Sequence, residues 1–350
     1  MIEFSQVTID QLVIHQIGCK VQGEPVRFSK TPYQLQNDEA VSDLLINYFF
    51  KAFKSEAFFN FTHPSDDIAQ NETFNLVCQV FDDPSSFMPI SAQLANRLWE
   101  ASNHAMIKGG EFYMAFFRNC VVDGEVTEGL GLFKSETKET FLKVYLKDQS
   151  FELGAQEGIN VKKLDKGCII FNTEREQGLK VCSIDNINKG NEARFWWDDF
   201  LGLKPREDNY YFTNNYLKMC REFVGEVFNT ENQVPKADQI DMLNRSIEFF
   251  NKKDNFNEQD FEREVMRQPE VIDAFNQYKG YYETENEMPL LSEFDISKSA
   301  VSGEKKHFKS ILKLDKNFHV YIHGKKNYIE RGFDNEKGLS FYKLYFEQES

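Results

Sequence analysis

Two strand-like runs joined by a two-residue turn limit this chain's fold more than any other feature. Glu111–Val122 and Val126–Ser135 are rich in aromatic and β-branched residues, and Asp123-Gly124 between them has tight-hairpin composition. Residues 8–18, ending at Gly18, add an N-terminal strand, and Ala57–Phe61 a short one. Further strand-like runs follow at Thr140–Lys147, Cys168–Asn172 and Gly178–Ile184, with Gln177-Gly178 as the turn between the last two. Consecutive strands with short turns pair antiparallel, which argues against a βαβ layout.

Helical spacing appears around these strands. Asp38–Phe53 reads as a helix capped by Asp38, with Val41, Leu44, Leu45, Tyr48, Phe49 and Phe53 as its apolar stripe. Asn71–Phe81 is broken by Pro84, and Met88–Ala101 starts from a cap near Ser91. The helices at 38–53 and 88–101 are expected to cover one face of the sheet. Tyr210–Phe228, Ala237–Asn251 and Glu258–Tyr278, the last broken near Pro269, form a helical middle. Beyond Pro289, Ser299–Gly303 reads as a loop. Phe308–Leu314, Phe318–His323 and Ser340–Phe346 then read as strands, with Tyr328–Arg331 as a fourth. The expected class is α+β: a mostly antiparallel sheet with covering helices over residues 1–204, a helical segment over 205–290, and a small C-terminal β-sheet over 291–350.

Where strands give way to helices lies Arg194, Phe195, Trp196, Trp197, Asp198, Asp199, Phe200, Leu201 and Gly202. Burying one large aromatic is worth roughly 2–3 kcal/mol, so this run belongs inside. At helical spacing Trp196, Trp197, Phe200 and Leu203 share one side, Asp198 and Asp199 turn to the other, and Gly202 stops the helix. A core helix is the plain reading; direct contact with a partner is the alternative.

Charge narrows the function. The formal net charge is −15, and an acidic surface repels phosphate polymers at long range. The sign is uneven, however: residues 298–331 hold nine Lys or Arg against three acids. Within this island His319, Tyr321 and His323 share one strand face, and Lys309 and Lys313 alternate on the neighbouring run. With Lys305, Lys306, Lys316, Lys325 and Lys326 they make a candidate phosphate-binding surface with aromatic interleaving. The bland alternative is an edge sheet kept soluble by lysines.

Other chemistries fare worse. No apolar run is long enough to span a bilayer, and the N-terminus lacks the pattern of a secretory signal. The six cysteines are scattered singly, as free thiols would be. His319 and His323 on a strand lie roughly 13 Å apart, too far to share one ion. Gly129-Leu-Gly131-Leu-Phe-Lys134-Ser135 lacks phosphate-loop spacing and alternates like a strand. His15 is expected to be a hydrogen-bonded structural residue. Asp123, Glu136 and Lys138 supply the residue types of a metal-dependent nuclease but no recognisable motif. No catalytic residue, metal ligand or cofactor is assigned.

Taken in order, these pieces resemble the bacterial nucleoid-associated proteins of NdpA type. An N-terminal Val13-Ile-His-Gln-Ile-Gly18 strand leads to a helix holding Asn47-Tyr48-Phe49. Phe195-Trp-Trp-Asp-Asp-Phe-Leu-Gly202 is similar to the family's centre. Phe318-His-Val-Tyr-Ile-His-Gly324 and Ile329-Glu-Arg-Gly-Phe333 are similar to its closing sheet. The likeness spans nearly the whole chain and implies a non-enzymatic cytoplasmic protein of the nucleoid. Chromosomal DNA is the implied partner, with another nucleoid protein as an alternative; a metal-dependent nuclease is the third reading. Oligomeric state is left open.

Overall fold

A computed structural model describes residues 2–35, 39–54, 56–187, 194–308, 311–321 and 328–348. The chain divides into two compact units, Met1–Arg206 and Glu207–Ser350.

The first unit is built on an eight-stranded antiparallel sheet. In chain order it holds β1 (Ile2–Glu3), β2 (Thr8–Ile17), α1 (Glu39–Phe50), β3 (Phe59–Phe61), α2 (Glu72–Asp82), α3 (Phe87–Ala101), β4 (Gly110–Val122), β5 (Glu125–Ser135), β6 (Lys138–Lys147), β7 (Ser150–Ile159), β8 (Lys166–Phe171), β9 (Lys180–Asp185) and β10 (Leu203–Pro205). The sheet order is β1-β4-β5-β8-β9-β3-β10, with β2 also pairing β4. The hairpin expected at Asp123-Gly124 is present, and Val122 faces Glu125 across it. The β6–β7 pair forms a separate two-stranded sheet.

Both faces of the large sheet are buried. Phe112, Met114 and Phe116 of β4 enter one core with residues of α2 and α3. Tyr113, Ala115 and Phe117 enter the other, with Tyr48, Phe49 and Phe50 of α1. Phe49 stacks on Phe133 at 4.0 Å. The helices expected to share one face therefore cover opposite faces. A continuous apolar run such as Phe112–Phe117 is what a strand buried on both sides requires.

The second unit holds α4 (Asn209–Glu226), α5 (Lys236–Lys252), β11 (Asn255–Asn257), α6 (Glu258–Phe261), α7 (Pro269–Glu285), β12 (Glu293–Asp295), α8 (Lys298–Lys305), β13 (Ile311–Leu314), β14 (Phe318–Tyr321), β15 (Ile329–Asp334) and β16 (Leu339–Leu344). The break expected near Pro269 is real: a π-turn at Glu262–Met266 ends one helix, and Pro269 opens α7. The helices close on an aromatic core in which Phe256 stacks on Phe250 at 5.4 Å and on Phe294 at 4.7 Å. The loop expected at 299–303 is instead the helix α8, which buries Ala300 and Val301. The C-terminal strands form two separate hairpins, β13–β14 and β15–β16. Leu312, Leu314, Val320, Ile329 and Tyr342 pack with Ile240 of α5. All six cysteines are free and five are buried.

Candidate nucleic-acid interface

Strand register brings three of the expected residues onto one surface. Lys313 of β13 lies opposite His319 of β14, and Ile311 lies opposite Tyr321. Directly opposed residues share a face, so Lys313, His319 and Tyr321 stand together while Leu312 and Val320 turn inward to Ile240. Lys313, His319 and Tyr321 are exposed, as is Lys316 in the connecting turn. Beside this hairpin, a groove of about 480 Å³ is lined by Lys236, Gln239, Ile311 and Lys313.

Lys305 and Lys306 are exposed but belong to no strand: Lys305 ends α8 and Lys306 caps it. Their helix is held by Glu304, whose carboxylate accepts from Arg221 at 3.0 Å. A cation at a helix C-terminus is favoured by the helix dipole. Among the described residues, Lys305, Lys306, Lys313 and Lys316 make no ion pair with a carboxylate, whereas Lys337 pairs with Asp334. The expected site residues Lys309, His323, Lys325 and Lys326 lie outside the described residues.

The tryptophan run is anchored differently from the expectation. Phe195–Leu201 forms a π-helix, closed by the Gly202 N–H donating to the Trp197 carbonyl. The wider turn buries Phe195, Trp196, Phe200 and Leu201 and leaves Trp197 half-buried, where a 3.6-residue period puts Trp197 inside. Trp196 and Trp197 both donate ring N–H groups to Ser183 Oγ, at 3.2 and 2.8 Å. The Thr73 hydroxyl donates to the Phe200 carbonyl at 2.5 Å, and Asn71 Nδ2 donates to the Leu201 carbonyl at 2.9 Å. Asp198 and Asp199 are exposed; burial raises the Asp198 carboxyl above its usual value, against the pull of Arg194. These contacts make the run a core anchor of the first unit.

Two charged clusters in that unit escaped the sequence reading. In the first, Lys134 and Lys166 approach Glu136 Oε1 at 2.9 and 3.0 Å, and Asp185 lies 3.6 Å from Lys166. All four side chains are buried, and desolvation lowers the Lys134 pKa. Asp165 accepts from the backbone N–H groups of Glu136 and Thr137 at 2.7 and 2.8 Å. The second cluster, Lys51, Lys54, Lys162 and Lys163, lines a concavity of about 490 Å³ with Asn160 and Asp165. Its one readable signal is the Lys162-Lys163 doublet.

The acids considered for metal-dependent cleavage are separated. Asp123 precedes β5 and Glu136 follows it, and 11 strand residues hold them more than about 35 Å apart. Asp123 pairs with Lys180, and Lys138 pairs with Glu111 at 2.8 Å. Among the described residues no group of three or more His, Cys, Asp or Glu is placed to hold a metal ion. No helix among them is long and apolar enough to cross a membrane.

The chain is an α+β protein whose large sheet is buried on both faces and whose C-terminal part carries an exposed lysine-bearing hairpin. A family model described as nucleoid-associated protein YejK, the protein also called NdpA, matches residues 13–338, and the chain belongs to that family. No curated protein matches the chain significantly.

Proposed function

We propose that this nucleoid-associated protein contacts chromosomal DNA directly, through the β13–β14 hairpin and the end of α8. The observation that carries this reading is the shared exposed face of Lys313, His319 and Tyr321, with Lys316 at its turn and, among the described residues, no carboxylate paired to either lysine. Lysine ammonium groups neutralise phosphates, and the tyrosine and histidine rings supply flat surfaces beside them. The acidic remainder of the chain limits how densely copies coat a duplex. The role is structural, at the nucleoid, without catalysis.

Gel-shift titrations over a salt series test it. Each lysine on a phosphate adds roughly 0.9 to the slope of log affinity against log salt. Replacing Lys305, Lys306, Lys313 and Lys316 by Ala should flatten that slope by about 3.6. An unchanged slope removes the assignment.

The net charge of −15 favours a second reading, in which another nucleoid protein recruits this one. Partners retained from nuclease-treated lysate, together with no gel shift at low salt, would select it.

A further inference from the structure

The hairpin β6–β7 presents a bare apolar face. Its register sets Leu142 opposite Ala155, Val144 opposite Leu153 and Leu146 opposite Phe151. Opposed residues share a face and strand side chains alternate, so these six lie together with no charged or hydrogen-bonding side chain among them. Leu142, Val144, Leu146, Phe151 and Leu153 are each 61–79% exposed.

The reverse face differs. There Tyr145 donates to Glu152 at 3.2 Å, and Lys147 pairs with the same carboxylate at 3.3 Å. The Tyr145 and Phe141 rings lie beside Gly154 and Gly158, where a Cβ would come within 3.4 and 3.2 Å of them. That side is finished for water. The other side is not: a lone two-stranded hairpin is marginal, and an exposed apolar patch of several hundred Å² marks an interaction surface.

We propose that this face joins two copies of the chain, hairpin against hairpin across a twofold axis. Two twisted apolar sheets pack in this way about 10 Å apart. An isologous contact asks only that one surface complement itself, which the Leu, Val, Phe and Ala side chains of this face do; Thr140 and Glu157, then Lys138, continue the same face at the base of the hairpin. Six side chains at about 100 Å² each supply roughly 600 Å² per copy and about 1,200 Å² in total, the lower bound for a stable dimer. The lysines of β6 sit on the opposite face or at the strand ends, so the surface lacks the basic rim that would favour an anionic membrane.

Sedimentation equilibrium of the full chain should give twice the 41.0 kDa chain mass. The double variant Leu142→Glu/Leu153→Glu should sediment as a monomer with an unchanged far-UV spectrum. The control Lys143→Glu, on the reverse face, should remain dimeric. Should the double variant misfold, hydrogen exchange on the unaltered chain decides: amides of 140–158 should exchange more slowly as concentration rises. A monomeric wild type, a dimeric double variant, or exchange independent of concentration overturns the proposal. Binding of the face to vesicles or to a different protein by a monomeric chain counts against it equally. None of these outcomes bears on the DNA contact, which lies on other residues.

Discussion

His15 shows what a single buried side chain reports. Its Nδ1 accepts from the Ser29 N–H at 3.1 Å, and its Nε2 lies 2.9 Å from Ser91 Oγ. Ser91 in turn donates to the Met88 carbonyl, so the histidine carries its proton on Nε2 and is neutral. Ser91 is the fifth residue of α3, past its first turn, and does not cap it. Burial holds the His15 pKa below 6.5, and a second proton would cost the Ser29 bond. The unfolded chain therefore protonates at higher pH than the folded one. Stability from neutral His15 is full above 6.5 and declines as pH falls through the interval down to the lowered folded value. Urea midpoints measured from about pH 8 to about pH 5 should fall, and fall less in His15→Gln. Equal declines in both chains would refute this. The buried charge cluster makes a second case. Glu136→Gln leaves Lys134 and Lys166, among the described residues, with Asp185 alone as a paired carboxylate, and should cost about 3–5 kcal/mol in urea unfolding. A structural His15 was legible because a lone strand histidine has few other uses. The lysine cluster was not, because Lys134 and Lys166 meet only when β5 pairs with β8.

Elements were legible where local pattern decides them and opaque where packing does. The hairpin at Asp123-Gly124 follows from its turn residues. Phe112–Phe117 carries the mark of a strand buried twice, yet nothing local to α1 or α3 says which face each covers. The π-helix is opaque for a similar reason: tertiary hydrogen bonds from Asn71, Thr73 and Ser183 hold it, and no local signal distinguishes it from an α-helix. Its end makes a test. Gly202 has a φ of 67°, and a Cβ there would lie 2.5 Å from Asn71 Nδ2 and 3.0 Å from the Thr62 carbonyl oxygen. Gly202→Ala should destabilise the first unit by about 1–3 kcal/mol. Asn71 caps α2 by accepting from the Phe74 N–H, and it also donates to the Thr62 and Leu201 carbonyls. Asn71→Ala should cost at least about 2 kcal/mol, since it loses the cap and strands buried carbonyls. Thermal melts that leave both variants at the wild-type midpoint would show that these bonds do not hold the run. Helix α8 escaped because it is eight residues long, rich in small side chains and contains Gly303.

At the scale of the chain, each compact unit has its own apolar core, and each is long enough to fold alone. That allows the two lysine-bearing surfaces to be separated. The sequence pointed to the C-terminal one, because Lys and Arg crowd residues 298–331. It could not point to the other, since Lys51 and Lys54 follow α1 while Lys162 and Lys163 follow β7, and only folding brings them to one concavity. A fragment of residues 207–350 should keep a helical far-UV spectrum and a cooperative urea transition. The salt slope counts phosphates neutralised at the contact and not the charge of the whole molecule. This fragment should therefore bind duplex DNA with the slope of the full chain, even though removing 1–206 alters the net charge. Residues 1–206 alone should bind with a slope smaller by about 3.6. If the larger slope stays with 1–206 instead, the contact lies at Lys51, Lys54, Lys162 and Lys163, and the β13–β14 lysines serve only to keep their hairpin in solution.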